Sequence, residues 1–351
     1  MRTLEAMPVF WNWEMVLACN FRCSYCNYTC LGWERHHAMN VFPGLARLSE
    51  VWSRIQDLYG TVHIELSGGE CTSYPGWEGV INMLVGIHTV SLDTNLSLDA
   101  ERFAKLVKLE RVRISASFHP QFSDFDSFLR KCLTLKERRV SDLFINYVAY
   151  PDQLAEMARY KKAFNEHGIR FYVQPFQGVY RKCSVYPESY TEAELGLIEE
   201  ALALGGPDAD ISRGRFQWKG SAMRTGTEEQ LRKIQEERGT HLAPPLVATT
   251  PKRPPVHCHM GHYYAKTYVN GDTYRCCAKP TKERPAELLS EKLYLGNLFL
   301  DDDLKLLEAP AACDYEPCPC DRCMVVGQET RWLDRWCAPD LTLSNDEGEH
   351  R

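Results

Sequence analysis

The sequence predicts an α/β protein with a parallel sheet and outer helices, followed by a cysteine-rich region near the carboxyl end. Short β-branched and aromatic runs alternate six times with stretches of helical period over about 195 residues. The cysteines gather near both ends of the chain. Six strand–helix units fit either an open doubly wound sheet or a partial barrel, and periodicity alone does not separate the two.

Each predicted element has a local signal in the sequence. An apolar stripe over residues 45–58 predicts a helix that stops at Gly60. Asp152 is expected to cap the helix that follows it, and Thr191 and Glu194 have the spacing of a capping box. The predicted strands are Pro8–Leu17, Val62–Ser67, Val90–Thr94, Val112–Phe118, Leu143–Tyr150 and Arg170–Pro175.

Changes in composition divide the chain into four parts. Glycine and proline clusters mark a linker or lid between the strand–helix region and the cysteine-rich region. Within the cysteine-rich region, Asn270-Gly271 predicts a hairpin turn between Ala265–Val269 and Thr273–Cys277. The expected parts are residues 1–204, 205–255, 256–337 and a polar tail, 338–351.

Composition excludes several classes of protein. The 41 basic and 47 acidic residues give a net charge of −6, which leaves no electrostatic footprint for nucleic acid. No apolar run reaches the ~20 residues that span a bilayer, and the start lacks the pattern of a signal peptide. An odd number of cysteines, 15, without an export signal favours thiolate chemistry in a reducing cytoplasm.

The first cysteine cluster has the spacing C-x3-C-x2-C and follows the first predicted strand. Cys19, Cys23 and Cys26 can hold three irons of a [4Fe–4S] cluster and leave the fourth iron without a protein ligand. An open metal position is the mark of a site that binds substrate or cofactor. A zinc site closed by Cys30 is the alternative.

A glycine-rich segment follows the second predicted strand, where Ser67 leads into Gly68-Gly69-Glu70. Glycines at the end of a strand let backbone groups approach a ligand, and the carboxylate can meet an ammonium group. Asn95 ends the third strand and is followed by Leu96. Polar residues end the later strands and are placed to meet a ligand: Ser117, His119, Asn146 and Gln174.

The cysteine loop, with Tyr25 just before its third cysteine, and the glycine-glycine-glutamate segment resemble the signatures of the radical S-adenosylmethionine (SAM) superfamily. The resemblance implies a partial (βα)6 TIM-type barrel, and SAM bound to the open iron of the [4Fe–4S] cluster. Reductive cleavage of SAM then gives a 5′-deoxyadenosyl radical that abstracts a hydrogen atom, with an external reductant of flavodoxin or ferredoxin type. The expected SAM contacts are Tyr25, Gly68, Gly69, Glu70 and Ser117.

The second cysteine cluster resembles the twitch domain, the shorter form of the SPASM extension of radical SAM enzymes. Twelve residues separate Cys258 from Gly271, Cys276 follows, and a C-x2-C pair comes later. This resemblance implies one auxiliary [4Fe–4S] cluster, although eight cysteines in the region suffice for two, and a zinc knuckle is the other interpretation. The expected ligands are Cys258, Cys276, Cys320 and Cys323.

A four-thiolate auxiliary cluster can accept an electron, which suits dehydrogenation of an alcohol. Epimerisation would instead use a thiol donor, for which Cys183 is the candidate and Cys71 a weaker one. The first predicted strand begins about eight residues into the chain, so no fused leader-binding domain is expected, which favours a sugar or aminocyclitol over a peptide. A peptide-modifying enzyme and a zinc-stabilised, non-catalytic interaction protein are the alternatives.

Overall fold

The structure is a computed structural model that describes residues 8–26, 37–176, 178–181, 184–187, 189–206, 256–276 and 293–313. Its strands are β1 Phe10–Val16, β2 His63–Gly68, β3 Thr89–Thr94, β4 Val112–Ser117, β5 Asp142–Ala149, β6 Arg170–Pro175, β7 Gly178–Tyr180, β8 Ser184–Tyr186, β9 Val256–Cys258, β10 Tyr264–Thr267, β11 Asp272–Tyr274, β12 Tyr294–Asn297 and β13 Ala311–Cys313. Its α-helices are α1 Leu45–Tyr59, α2 Trp77–Ile87, α3 Ala100–Leu106, α4 Phe125–Glu137, α5 Met157–Glu166 and α6 Glu192–Ala203. None of these helices is long and apolar enough to cross a bilayer.

The central sheet has nine strands in the order β12-β11-β10-β1-β2-β3-β4-β5-β6. Strands β1 to β6 pair in parallel with their sequence neighbours, and within the described residues an α-helix lies between each strand and the next. Since such crossovers are right-handed, a sheet in sequential order carries these helices on one face. The predicted α/β fold with a TIM-type parallel core is confirmed.

The outer face of the sheet packs on the helices through aromatic side chains. Trp11 and Trp13 of β1 are completely buried, and each ring lies 5.8 Å from the ring of Trp52 on α1. The helical period of α1 places Val51 and Ile55 on the same buried face as Trp52. This stripe is the one that the sequence predicts, and the helix ends before Gly60 as expected.

The inner face of the sheet is polar although it is buried. Successive side chains of a strand point to opposite faces, so Asn12 and Glu14 lie on the face away from Trp11 and Trp13. Asn12, Glu14 and Glu65 of β2 are only 5%, 4% and 6% exposed. Since the connecting helices lie on the other face, burial of these polar groups shows that the sheet curves around them.

Two predictions about helix starts have different outcomes. The capping box before α6 is present, with Thr191 and Glu194 each accepting from the other's backbone N–H. The prediction for Asp152 is wrong, since α5 begins at Met157 and Asp152 lies in a preceding 3-10 turn. The Asp152 carboxylate instead accepts hydrogen bonds from Tyr180 and Arg181.

The predicted hairpin forms and joins the barrel sheet. Strands β10 and β11 are antiparallel, and Gly271 in their turn has a φ of +90°. A Cβ at Gly271 would lie 2.5 Å from the Asn297 Oδ1 atom, so the position requires glycine. Strand β10 also pairs in parallel with β1, so the C-terminal part of the chain extends the barrel wall. Residues 207–255 and the tail lie outside the described residues.

Candidate active site

The first cysteine cluster lies on the loop that leaves the carboxyl end of β1. Cys19 and Cys26 are half-buried, and Cys23 is buried. The Cys26 N–H donates to the Cys23 carbonyl oxygen at 3.0 Å, which makes this part of the loop a tight turn. The structure therefore places the three predicted ligands on one loop at the edge where parallel α/β sheets bind ligands.

Two N–H groups approach the sulfur of Cys19. The Phe21 backbone N–H lies 3.4 Å from the Cys19 Sγ atom, and the Asn95 Nδ2 atom lies 3.7 Å from it. Asn95 also donates to the Asn20 Oδ1 atom at 2.9 Å, which fixes the orientation of its amide. Hydrogen bonds to cysteine sulfur stabilise the thiolate and tune the potential of a bound iron–sulfur cluster.

Burial and neighbouring thiols change the ionisation of Cys19 and Cys23. Burial, followed by the neighbouring Cys26 and Cys19 thiols, raises the pKa of Cys23 to about 12. Burial also raises the pKa of Cys19. Three thiolates at this place need a cationic centre to stabilise them, which is the chemistry that a metal cluster supplies.

No group of three or more His, Cys, Asp or Glu side chains within the described ranges is arranged to hold a metal ion. In a [4Fe–4S] cluster each cysteine binds a different iron, so a cluster needs three spaced sulfurs rather than three that meet at one point.

Gly68 and Gly69 let the end of β2 lie against the segment that leads into the cysteine loop. The Gly69 N–H donates to Val16 O at 2.7 Å, and the Glu70 N–H donates to Ala18 O at 2.8 Å. A Cβ at Gly68 would lie 2.3 Å from Val16 O, and one at Gly69 would lie 2.2 Å from Ala18 O. Both contacts are impossible for a side chain, so the glycines set the position of the loop.

The Glu70 carboxylate joins the ends of β2 and β3. Its Oε1 atom accepts from the Thr72 hydroxyl at 2.7 Å and from the Thr94 hydroxyl at 2.9 Å. Its Oε2 atom accepts from the Asn95 backbone N–H at 2.7 Å. Through Asn95 this buried carboxylate is connected to Cys19, and its expected contact with the SAM ammonium group stays a prediction.

The other side of the cysteine loop is attached to the segment after β4. The Tyr25 hydroxyl and the His119 Nδ1 atom share a hydrogen bond of 2.8 Å. Ser24 and Gln121 exchange two hydrogen bonds, of 3.1 Å and 2.7 Å. Burial lowers the pKa of His119 to about 4, so its ring is neutral at physiological pH. The Tyr25 ring packs 5.2 Å from the Tyr150 ring, which leaves the loop anchored on both sides.

The inner face of β4 to β6 carries a ladder of neutral hydrogen-bonding groups. The Asn146 Nδ2 atom donates to the Ser115 hydroxyl at 2.8 Å, and the Gln174 Nε2 atom donates to the Asn146 Oδ1 atom at 3.2 Å. Ser117 is half-buried at the end of β4, directly opposite Asn146 in the register. The polar strand ends named from the sequence thus lie side by side.

The inner face of β1, β2 and β10 carries charged groups. Lys266 of β10 lies beside Asn12, which it contacts through a hydrogen bond to Oδ1, and its Nζ atom is 3.9 Å from the Glu14 Oε2 atom. Asn12 also donates to the Glu65 Oε2 atom at 2.8 Å and accepts from the Ser67 hydroxyl at 3.2 Å. The C-terminal part of the chain therefore contributes a cation to the interior of the barrel.

Two predicted auxiliary ligands lie in the same part of the fold. Cys258 on β9 and Cys276 after β11 are both buried. The guanidinium group of Arg275 joins their strands by donating to Met260 O at 3.0 Å and to Ala311 O, the partner of Cys258 in the register, at 3.1 Å. The remaining predicted ligands, Cys320 and Cys323, lie outside the described residues, as does the candidate hydrogen donor Cys183.

Sequence reasoning gives too little importance to one residue of the site and misses another. It does not single out Asn95 as a site residue, because Leu96 follows it, yet Asn95 connects Glu70 with Cys19. The alternation of Tyr264, Lys266 and Tyr268 with smaller residues places Lys266 on one face of a strand. That signal does not show which strand pairs with β10.

Comparisons with known proteins bear on the fold. No protein-family model and no curated protein matches the sequence. The structure of native anSMEcpe with bound AdoMet and Kp18Cys peptide matches with a TM-score of 0.51 and 16% identity, covering 86% of this chain and 81% of that chain. Native anSMEcpe with bound AdoMet (SAM) gives a TM-score of 0.51 and 15% identity over 86% and 81% of the two chains.

These proteins are radical SAM enzymes. The chain has the radical SAM fold. A third match is SuiB of Streptococcus suis bound to its precursor peptide SuiA, with a TM-score of 0.48 and 12% identity over 85% of this chain and 64% of that chain. The two anSMEcpe structures confirm, at the level of the fold, the resemblance inferred from the cysteine loop and the glycine-rich segment, while the ligand assignments stay predictions.

Proposed function

We propose that this chain is a radical SAM enzyme acting on a small polar substrate of sugar or aminocyclitol type, by dehydrogenation or epimerisation. Cys19, Cys23 and Cys26 hold a [4Fe–4S] cluster with one open iron, which supplies the electron that cleaves SAM. The observation that carries the proposal is the arrangement of the cysteine loop between Gly69 on one side and His119 on the other.

The residues of the chain position the reactants. Asn95 orients the Cys19 sulfur, while the Gly69–Glu70 backbone bonds fix the start of the loop. In the proposed site, Tyr25, Gly68, Gly69, Glu70 and Ser117 would hold SAM, and the polar inner face of the sheet would bind the substrate. The buried inner face excludes water from the reacting carbon, which protects a radical from side reactions.

After a hydrogen atom has been abstracted, dehydrogenation requires the substrate radical to lose one electron and one proton. An auxiliary [4Fe–4S] cluster held by Cys258, Cys276, Cys320 and Cys323 would accept that electron, and the proton would pass to solvent. A flavodoxin or ferredoxin would supply the separate electron that cleaves SAM. The burial of Cys258 on β9 and of Cys276 just after β11, with Arg275 joining these two segments, supports this assignment.

A peptide substrate is the second candidate function. The anSMEcpe structure that shares this fold holds a peptide together with AdoMet. The polar inner face favours a small polar molecule, so a peptide is the competing outcome of the product analysis.

The test is anaerobic reconstitution with iron and sulfide, followed by dithionite and SAM. The wild-type chain is expected to bind at least four irons with matching sulfide and to form 5′-deoxyadenosine. Cys23→Ala should lose the SAM-cleaving cluster and its product. Cys132→Ala is the matched control, because Cys132 is a buried cysteine of α4 outside the proposed site.

Equal 5′-deoxyadenosine formation by Cys23→Ala and wild type would contradict the proposal, as would zinc without iron in anaerobically purified protein. Product mass then separates the reactions. Loss of two hydrogens indicates dehydrogenation, whereas unchanged mass with one deuterium gained in heavy water indicates epimerisation.

A further inference from the structure

Lys266 enters the barrel interior from a strand that is far from β1 in the sequence. Its side chain is 11% exposed and the Glu14 side chain 6% exposed, so the two groups form a buried ion pair. Burying two charges is costly, and an ion pair is a weak source of stability compared with apolar packing of the same volume. A function at the inner face accounts for keeping such a pair there.

One N–H of the Lys266 ammonium group donates to the Asn12 Oδ1 atom, while the contact with Glu14 is longer than a hydrogen bond. The Lys266 Nζ atom and the Glu14 Oε2 atom are 3.9 Å apart, which exceeds hydrogen-bond distance. A hydroxyl group is both a donor and an acceptor, so it can accept from the ammonium group and donate to the carboxylate at once. The spacing thus suits an alcohol better than a group that only donates or only accepts.

The wall formed by β4 to β6 offers partners of the same chemistry. The ladder of Ser115, Asn146 and Gln174 presents hydroxyl and amide groups on the inner face of β4 to β6. Ser117 lies at the top of this wall, where the cysteine loop also lies. Amide and hydroxyl groups pair with several hydroxyls of one ligand and give orientation, as in other small-molecule sites.

We propose that Lys266 and Glu14 bind a hydroxyl group of a polyhydroxylated substrate, a cyclitol or a sugar, whose other hydroxyls meet the wall of Ser115, Asn146 and Gln174. This inference rests on the proposed function and names the chemical class and two specificity-determining residues. It also gives β10 a role at the substrate, because this strand delivers the lysine across the seam with β1.

The test measures ligand binding rather than turnover. The reconstituted full chain with SAM is titrated calorimetrically, without reductant, with a panel of myo-inositol, an aminocyclitol and aldohexoses. At least one of these polyols should bind the wild type. Removing a charged hydrogen-bond partner should weaken the best binder about 10- to 100-fold in Lys266→Met and in Glu14→Gln. Lys105→Met changes an exposed lysine of α3 and should leave the affinity unchanged.

Glu14→Gln is nearly isosteric and keeps the proposal falsifiable if Lys266→Met fails to fold. The inference is overturned if no polyol of the panel binds the wild type, or if both variants bind the best polyol as the wild type does. Formation of 5′-deoxyadenosine by the wild type is measured separately. Its absence would overturn the proposed radical SAM activity. Its presence without polyol binding would leave that activity standing and would overturn both this inference and the sugar or aminocyclitol substrate.

Discussion

At the residue scale, the hydrogen atom that serves as the side chain of Gly69 decides where the cysteine loop can lie. The backbone of Gly69 is in contact with Leu17 and Ala18, whose carbonyl oxygens would be 2.8 Å and 2.2 Å from an added Cβ. The nearest atoms are backbone, which cannot move aside as a flexible side chain can. A methyl group at this position must therefore displace the segment that carries Cys19.

We expect Gly69→Ala to lower the free energy of unfolding by about 1–3 kcal/mol, the usual cost of overpacking, and to reduce cluster content strongly. The checks are urea unfolding and iron and sulfide analysis after reconstitution. Gly86→Ala is the control, because a Cβ at Gly86 on α2 meets no atom within 4 Å. It should be neutral or stabilising. Full cluster content in Gly69→Ala would contradict the role given to this glycine.

Residue types and spacings predicted part of the site. The cysteine triad and the glycines are local signals, and the structure places them together. The structure gives these glycines a second reason, since the chain's own backbone at Val16–Ala18 also approaches them, and their expected contact with SAM stays a prediction. Leu96, which follows Asn95, makes the sequence give Asn95 too little weight. Leu96 nevertheless adopts a left-handed φ of +51°, and the Lys131 ammonium group donates to its carbonyl oxygen at 2.7 Å.

At the element scale, His88 connects α1, α2 and β2. It follows the last residue of α2, its Nδ1 atom accepts from the Val62 N–H at 3.3 Å, and its Nε2 atom donates to Trp52 O at 3.1 Å. The Val62 N–H requires an unprotonated Nδ1 atom, so the ring must be neutral. Burial lowers the pKa of His88 to about 4, which agrees with that requirement.

The pH dependence of stability follows from this shift. Folded His88 has a pKa of about 4 and the unperturbed value is 6.5, so the unfolded chain binds more protons between these values. The neutral ring makes its full contribution to the free energy of unfolding above pH 6.5. As the pH falls towards 4, the free energy of unfolding decreases by about 2–3 kcal/mol.

We therefore expect His88→Gln to be less stable than the wild type at pH 7.5 but to lose less stability between pH 7.5 and pH 4.5. Urea midpoints at the two pH values measure the difference. His167→Gln, which changes an exposed histidine after α5, should keep the wild-type pH dependence. A wild-type pH dependence in His88→Gln would show that other groups govern the acid sensitivity.

Most elements were predictable because their signals are local. The six predicted strands agree with β1 to β6 within a few residues, since each is an apolar run that ends at polar or turn residues. The start of the helix after Asp152 is predicted wrongly, because an aspartate can either cap a helix or accept hydrogen bonds from distant side chains. Its carboxylate accepts from Tyr180 and Arg181, a pairing across 28 and 29 residues that no capping pattern reveals.

At the scale of the whole molecule, the seam between β1 and β10 joins the two ends of the described chain. The Trp11 Nε1 atom donates to the Thr267 hydroxyl at 2.8 Å across 256 residues of sequence. The Thr267 hydroxyl also lies 2.8 Å from the Thr273 hydroxyl, so it joins β1 to the hairpin. The sequence predicts the hairpin but not the seam, because a pairing between distant strands leaves no local pattern.

Thr267→Val should lower the free energy of unfolding by about 1–3 kcal/mol, since the buried Trp11 N–H loses its acceptor. If the seam makes the barrel and the C-terminal strands one cooperative unit, unfolding followed by circular dichroism and tryptophan fluorescence should remain a single transition at lower urea. Thr61→Val removes a hydroxyl that donates to Ile87 O at 3.3 Å at a partly buried site and should cost less. Two separate unfolding transitions, of which only one shifts in Thr267→Val, would show that the barrel and the C-terminal strands do not unfold as one cooperative unit.

The seam also has a consequence for synthesis. Ribosomes add about 5–20 residues each second, so the partner edge of β1 leaves the ribosome many seconds after β1 itself. During that interval one edge of β1 has its backbone N–H and C=O groups unpaired, and such an edge readily pairs with other chains. Yield of native protein should therefore depend on translation speed and on chaperones that bind nascent strands.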